Sequence, residues 1–326
     1  MKSSIVIGTR SSALALWQTE FVKSSLLSLY PHLHIEICTI KTTGDKILDS
    51  PLSKIGDKGL FTREIEQALL SGKIDLAVHS LKDLPTSLPD GLTIAAVTAR
   101  EDTRDVLISH TGYSISSLPL GAHVATGSLR RRAQLLALRP DLEILDMRGN
   151  LNTRFKKFDE RHMLPREHPE HLDAMILAFA GVHRLGLDAR ISQLLSHEEI
   201  LPAVGQGALA LETRADDKAI LSLARSLNDP ATELCTRAER SLLRRLEGGC
   251  QIPIGAHASL SGSQLSLTAF IGTLDGTRYA RHSLSTLLTS LDLPTSFEHA
   301  EALGIQLAEV LLEQGGQEIL SSLRAS

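Results

Sequence analysis

Cys250 stands on a two-glycine turn, Leu246-Glu247-Gly248-Gly249-Cys250-Gln251-Ile252-Pro253-Ile254-Gly255, between an apolar-periodic segment and a strand. The segment before it, residues 231–246, ends in Arg244 and Arg245, where cations suit the helix dipole. Gly248 supplies the positive-φ stop of a helix C-terminus, and Pro253 marks a chain that has left the helix. A buried structural cysteine ordinarily sits inside an element as a small apolar filler, and that plain reading stands beside the sharper one. A helix C-terminus raises a thiol pKa, so the position suits a permanent covalent anchor better than a thiolate that turns over.

The second set is cationic. Arg10, Arg130, Arg131, Arg148, Arg154 and Arg184 each lie just beyond a predicted strand, the usual ligand position in open α/β sheets. Ser128 reads as the N-cap of a helix running to about Leu138, so Arg130, Arg131 and Arg132 crowd its first turn. The dipole disfavours cations there, and natural sequences break local rules mostly at functional sites, so an anion site is indicated. Lys82 and Asp83 follow a strand at 74–78 through His79-Ser80-Leu81; a solvated ion pair in a turn would explain them equally well. The 34 basic residues divide into 23 Arg and 11 Lys, and the planar guanidinium fork is the group for carboxylate or phosphate. In a chain of net charge −4 this points to one local site for a small polyanion.

The elements that must position these groups alternate. Strand 4–8 leads through Thr9-Arg10-Ser11-Ser12 into a helix over 13–29, capped by Ser11 or Ser12. Strand 33–40, the glycine-interrupted loop Lys54-Ile55-Gly56-Asp57-Lys58-Gly59-Leu60-Phe61, helix 62–70, and strands 74–78 and 92–97 complete a first unit. A second opens at 106–109 and repeats the βα logic at 123–138, at 142–154 with Asn150 or Asn152 as cap, and at 174–184. Parallel strands would bring the arginines to one edge. The stretch Leu201-Pro202-Ala203-Val204-Gly205-Gln206-Gly207 and strand 208–213 carry the chain back to the first unit, which makes a hinged cleft. After helix 216–227, residues 252–260, 265–271 and 278–284 form hairpins through Ser261-Gly262 and Asp275-Gly276, covered by a helix at 297–312. The expected fold class is α/β: two βα domains around a cleft, 1–98 with 207–226 and then 99–206. A small C-terminal α+β domain, 227–326, carries a three-stranded antiparallel sheet.

Composition narrows the function. At 326 residues the chain exceeds one ordinary core. An aromatic content of 3% leaves few stacking platforms, so nucleic acid is not an expected partner. No apolar run approaches a membrane span, and the N-terminal apolar stretch is too short for a signal peptide. Three cysteines without a C-x-x-C pair suit a reducing compartment, so a cytoplasmic location and no membrane partner are expected. The polar, histidine-rich segment 159–171 reads as a surface loop, and no metal is expected.

Taken in order and spacing, several stretches closely resemble the porphobilinogen deaminase (hydroxymethylbilane synthase) family along essentially the whole chain. They are Gly8-Thr9-Arg10-Ser11-Ser12, Gly56-Asp57-Lys58-Gly59-Leu60-Phe61, His79-Ser80-Leu81-Lys82-Asp83, Ser128-Leu129-Arg130-Arg131, Arg148-Gly149-Asn150 with Arg154, Leu201 to Gly207, and Glu239-Arg240 through Gly255. The resemblance implies first and second domains like type II periplasmic binding proteins. It implies a dipyrromethane cofactor held by a thioether to Cys250. It further implies that four porphobilinogens are joined head to tail with release of four ammonia, and that water then frees hydroxymethylbilane.

On that resemblance Asp83 is the catalytic group, stabilising the electron-poor methylene-pyrrole cation left when ammonia departs. Each pyrrole brings an acetate and a propionate. Lys82, Asp83, Ser128, Arg130 and Arg131 are expected around the cofactor, and Arg10, Ser12, Arg148, Arg154 and Arg184 around substrate, with Lys58 and Phe61 on a closing loop. Asp57 stands where the family usually has a second glycine, and Gly127 replaces a frequent serine. A monomer is expected. Two rivals remain: a solute-binding protein of the same two-lobed fold, and a phosphate-binding enzyme. The Gly-Gly-Cys turn counts against the first, and the lack of G-x-x-x-x-G-K-[ST] or G-x-G-x-x-G at a strand–helix junction against the second.

Overall fold

The computed structural model describes residues 2–46, 59–246, 252–288 and 293–325; Lys58 and Cys250 lie outside them. The chain opens with β1 (Ser4–Thr9), α1 (Ala13–Leu29), β2 (His34–Thr39), the short α2 (Thr43–Lys46), α3 (Arg63–Leu70), β3 (Leu76–Ser80) and β4 (Leu92–Val97). It continues through β5 (Asp105–Ile108), β6 (His123–Ala125), α4 (Leu129–Leu138), β7 (Glu143–Leu145), α5 (Leu151–His162), β8 (Ala174–Ala178), α6 (Phe179–Arg184) and β9 (Ile191–Leu194). Then follow β10 (Leu209–Arg214), α7 (Lys218–Arg225), α8 (Pro230–Arg245), β11 (Ile254–Ser261), β12 (Gln264–Gly272), β13 (Tyr279–Leu287), α9 (Leu293–Leu311) and α10 (Gln317–Ala325).

Caps decide where the helices begin. Ser12 accepts a hydrogen bond from the Ala15 N–H, Ser128 from Arg131, Asn150 from Thr153 and Asp229 from Thr232. Each satisfies one of the backbone donors that a helix start leaves open. Ser12 rather than Ser11, and Asn150 rather than Asn152, is therefore the cap.

The first sheet has the order β2-β1-β3-β10-β4 and the second β7-β6-β8-β5-β9. β1 runs parallel to β2 and β3, and β6 parallel to β7 and β8. The strands that deliver the expected site residues are thus mutually parallel within each sheet, and their carboxyl ends share an edge. Beyond them the sheets are mixed: β10 is antiparallel to β3 and β4, and β5 to β8 and β9. β10 brings the chain back into the first sheet, with Leu209 paired to Ser80. Ile5, Ile7, Leu76 and Leu209 form part of the first core, and Val106, Ile108, Phe158 and Leu177 part of the second. This is the expected α/β class, two βα lobes each built on a five-stranded mixed sheet.

The third sheet is antiparallel, β11-β12-β13. Leu265, Leu267, Ala269 and Ile271 of β12 are fully buried, packed in one core with Leu234, Ala238 and Leu242 of α8 and Leu303 and Leu307 of α9. Full burial of each Leu or Ile among them stabilises by about 1.5–3 kcal/mol, which holds α8 against the sheet. Glu239 of α8 ties this domain to both chain crossings. Its carboxylate accepts two bonds from Arg100, at 2.7 and 3.0 Å, and one each from the backbone N–H groups of Gly205 and Ala258, both at 2.8 Å.

One expectation needs correction. Segment 159–171 is not a surface loop throughout. Phe155 and Phe158 are buried one turn apart, and they carry α5 on to His162. His162 stacks on His110 at 4.5 Å, and His171 is buried, with Nδ1 2.9 Å from the Leu164 carbonyl.

Candidate active site

Two small cavities meet where the lobes face each other. One, about 80 Å³, is lined by Lys82, Arg131, Arg154 and Arg184 together with Gln206 and Gly181. The other, about 60 Å³, is lined by Arg10, Ser12, Phe61 and Asp83. Leu14, Gln18 and Ser80 belong to both walls, and the Gln18 amide donates to the Ser80 hydroxyl at 2.9 Å. The cationic and carboxylate-bearing sides therefore form one continuous site.

Each group is placed by an element end. β3 runs into a short 3₁₀ turn, Leu81–Asp83, closed by Leu84 N–H on the Leu81 carbonyl at 3.2 Å. Lys82 is half-buried on that turn and Asp83 exposed to the cleft. Arg10 follows β1, and its guanidinium lies over the Phe61 ring, 4.3 Å from the centroid. Ser12, as the α1 cap, has its hydroxyl oxygen engaged by Ala15 N–H at 3.3 Å. Arg154 sits in the first turn of α5 and donates to the Gly149 carbonyl at 2.8 Å. Arg184 ends α6, donates to the Gly207 carbonyl at 2.7 Å, and stands 5.7 Å from the Trp17 ring centroid.

The three arginines at the start of α4 part company. Arg131 gives Nε and Nη2 to the two oxygens of Asp105, at 3.0 and 2.8 Å, and Nη1 to the Ile176 carbonyl, yet still lines the cleft. Arg130 is buried, donating to Asp105 at 2.9 Å and to the Leu201 carbonyl at 2.5 Å, and lines neither cavity. Arg132 points to the third domain, donating to the Leu274 carbonyl at 3.3 Å. Burial alone would raise the Asp105 carboxyl, but the Arg130 and Arg131 cations outweigh it and hold it far below its usual range. Part of the positive charge at this helix start is thus answered from within the protein. Ser128 serves as the α4 cap, and Arg148 stands beside Asp146 at 3.4 Å, outside both cavity walls.

Burial disfavours the charge on Lys82, Arg154 and Arg184. Burial pushes the Lys82 ammonium down to about 8, the Asp83 charge opposing and Arg131 assisting. Burial pushes Arg154 down to about 10, with the Arg131 and Arg148 charges adding to it. Burial also lowers Arg184. Cations crowded into a poorly hydrated space in this way are relieved by anions of matching size, and several carboxylates on one small molecule would do so best. Among the described residues no group of three or more His, Cys, Asp or Glu side chains could hold a metal ion. No described helix is long and apolar enough to cross a membrane.

Residues not singled out from the sequence also build the site. Gln18 follows Leu14 by four on α1, so it reads as part of an apolar face, although it is a buried polar residue. Ser80 and Gln206 lay within stretches already noted, and Asp105 carries no local sign of its role.

The family described as "Porphobilinogen deaminase, dipyromethane cofactor binding domain" matches residues 5–222, and "Porphobilinogen deaminase, C-terminal domain" matches residues 233–313. Porphobilinogen deaminase of Chloroherpeton thalassium is 57% identical over 324 residues, covering 99% of each chain. Those of Chlorobium luteolum and Chlorobaculum tepidum are 56% identical over 326 residues, covering 100% of each chain, and 55% identical over 324 residues, covering 99% of each. Among solved structures, a periplasmic binding protein of Salmonella typhimurium with high arginine specificity superposes with a TM-score of 0.38 at 13% identity, covering 71% of this chain and 94% of that one. The periplasmic aliphatic sulphonate binding protein of Escherichia coli gives 0.38 at 13%, covering 76% and 71%. With the two family matches spanning most of the sequence and more than half of all positions identical to each of these relatives, the chain belongs to the porphobilinogen deaminase family.

Proposed function

We propose that the cleft lined by Lys82, Arg131, Arg154 and Arg184 on one side and Asp83 on the other is where this chain binds and elongates its pyrrole chain. The reaction is that of a transferase of tetrapyrrole biosynthesis: four porphobilinogens are condensed head to tail on a dipyrromethane cofactor, four ammonia are released, and hydrolysis yields hydroxymethylbilane. The observation that carries the site assignment is the crowding of half-buried Lys82, Arg154 and Arg184 on one cavity wall, beside a second cavity whose acidic lining residue, among the described residues, is the exposed Asp83. That donor set fits a ligand carrying an acetate and a propionate on every ring.

When bound, the cofactor supplies the free pyrrole position at which the chain grows. Lys82 and Arg131 are its ligands in this reading, with Ser128 and Arg130 shaping the helix start behind them, and Cys250 its thioether anchor. Asp83 in this reading accepts a hydrogen bond from a pyrrole N–H and offsets the positive charge that develops as ammonia leaves. It can also move protons at the aminomethyl nitrogen and at the attacked carbon. Arg10, Ser12, Arg148, Arg154 and Arg184 orient the substrate carboxylates in this reading, and Lys58 and Phe61 are assigned to substrate binding with them. The functional division is 1–98 with 207–226, then 99–206, then 227–326. The protein acts as a monomer in the cytoplasm, without nucleic-acid or membrane partners.

The test is the intact mass of the purified protein beside Cys250→Ser. An excess equal to two linked pyrroles, absent in the variant, supports the anchor; the same excess in both would refute it. Asp83→Asn should keep that mass and lose most turnover of porphobilinogen, and near-normal turnover would sink the role given to Asp83.

A further inference from the structure

Arg240 lies on α8, in the third domain, with 9% of its surface exposed. Its guanidinium crosses to the first lobe and takes hold of the chain directly after Asp83. Nη2 donates to the Pro85 carbonyl at 2.6 Å and Nη1 to the Leu84 carbonyl at 3.3 Å. Among the described residues it makes no ion pair. The cations one turn away on α8, Arg237 and Arg244, repel it, Arg237 is itself engaged by Glu233 and Glu301 at 3.1 Å each, and the adjacent Glu239 is committed to Arg100, Gly205 and Ala258. A buried guanidinium held only by carbonyls is costly, because desolvation is not repaid by an opposite charge. Burial and the two like charges pull it down to about 10.

A cavity of about 200 Å³ adjoins it, lined by Leu81, Leu88, Ile94, Thr236 and Arg240 among others. The segment that carries Lys82 and Asp83 therefore has open space behind it on this side. It is pinned upstream by Leu81 N–H on the Ala208 carbonyl at 3.0 Å, and downstream by the Arg240 fork.

We propose that Arg240 is a positioning residue for Asp83: the third domain, through the two carbonyl contacts of one guanidinium, fixes the direction in which the catalytic carboxylate projects into the cleft. The inference rests on the reading of Asp83 as the catalytic group. The carbonyls held are those of the first and second residues after Asp83, so they set the backbone from which its side chain leaves. A three-residue turn with a cavity behind it has room to shift by an ångström, and such a misplacement can cost about 100-fold in rate. The fork matters because its two N–H groups lie in one plane; an ammonium is a compact point charge on a flexible stem and could hold only part of this geometry.

The experiment compares Arg240→Lys, Arg240→Met, Asp83→Asn and the double variant Asp83→Asn/Arg240→Lys. Intact mass gives cofactor content, thermal unfolding gives Tm, and kcat and KM for porphobilinogen are read well below each Tm. The expected result is a kcat lowered about 10- to 100-fold in Arg240→Met and less in Arg240→Lys, with KM within about twofold and cofactor retained. The double variant should be no slower than Asp83→Asn alone, because Arg240 acts through the group already removed. Wild-type kcat in both single Arg240 variants, or a double variant slowed by the product of the two single effects, overturns the proposal while leaving Asp83 catalytic. Failure of both Arg240 variants to fold assigns the residue to stability and overturns it too. Near-normal turnover by Asp83→Asn overturns the reading of Asp83 itself, and this inference with it.

Discussion

Asp105 and Arg131 meet in a bidentate pair, Nε and Nη2 on the two carboxylate oxygens at 3.0 and 2.8 Å, in a site where Asp105 has no exposed surface. The same carboxylate also accepts from Arg130 and from the Gln206 amide at 2.8 Å. One acid on β5 therefore organises the start of α4, the second chain crossing and one wall of the cleft.

Asp105→Asn should accordingly unfold more easily. It leaves two buried guanidiniums against a neutral amide, and breaking a buried pair in this way costs about 3–5 kcal/mol. Denaturant midpoints of the parent and the variant measure it. A midpoint unchanged within error would mean that the cluster contributes little to stability.

Lys82 makes the cleft sensitive to alkali. Its ammonium in the free protein titrates at about 8, well below the usual 10.5, so it is charged at neutral pH and loses that charge as pH rises through this value. Capture of carboxylates should weaken as it does. We expect kcat/KM for porphobilinogen to fall above about pH 8 and the fall to move to higher pH in Lys82→Arg, whose guanidinium stays charged. Identical profiles for the two proteins would remove Lys82 from the binding set.

How much of this was legible in the sequence depends on distance along the chain. The caps Ser12, Ser128 and Asn150 and the strand ends after which the arginines stand follow from local pattern, and so does the buried face Leu265-Leu267-Ala269-Ile271. What local pattern does not carry is which cation is spent internally. Arg130 and Arg131 break the dipole rule alike and share one partner, Asp105, 25 and 26 positions earlier on β5, a strand placed antiparallel beside β8; of the two, Arg131 also lines the cleft. Gln18 was hidden by its spacing from Leu14. β9 shows no alternation because all four of its residues are half-buried at a sheet edge. In segment 159–171 the polar, histidine-rich composition reads as a loop, whereas the buried pair Phe155 and Phe158 carries the helix on to His162.

The contact between the second lobe and the third domain carries its own pH response. His257 on β11 lies with its ring centroid 3.9 Å from that of His197, whose Nε2 is 2.8 Å from the Thr103 hydroxyl. Burial pushes His257 down to about 4 from 6.5, the Glu239 charge opposing, and burial lowers His197 as well. Between these values the unfolded chain binds a proton that the folded protein does not, so stability is full above about pH 6.5 and is lost as pH falls towards 4. For His257 alone the loss is on the order of 3 kcal/mol. His257→Gln should flatten the urea midpoint between pH 4 and 6.5 relative to the parent; an equally steep slope in both would show that other groups carry it.

Chain growth should depend on the cations that the protein leaves available to the cleft. Arg154 and Arg184 each give one donor to a backbone carbonyl, have no carboxylate partner among the described residues, and line the cavity wall. Arg130, by contrast, is committed to Asp105 and Leu201. A charge-assisted hydrogen bond to substrate is worth about 1.5–3 kcal/mol, so Arg154→Leu or Arg184→Leu should slow individual additions by about 10- to 100-fold. Arg148→Leu should stall elongation too, on the proposed substrate role of this arginine, which lies outside both cavity walls and whose acid partner among the described residues is the exposed Asp146. The readout is the mass ladder of protein carrying one, two or three added pyrroles after a short exposure to porphobilinogen. Accumulation at an early rung is expected for these three, whereas Arg130→Leu should show its main effect in the denaturant midpoint. A parental ladder from Arg148→Leu, Arg154→Leu and Arg184→Leu together would refute the assignment of growing-chain carboxylates to these arginines and leave Arg10, Lys82 and Arg131 as the groups to test.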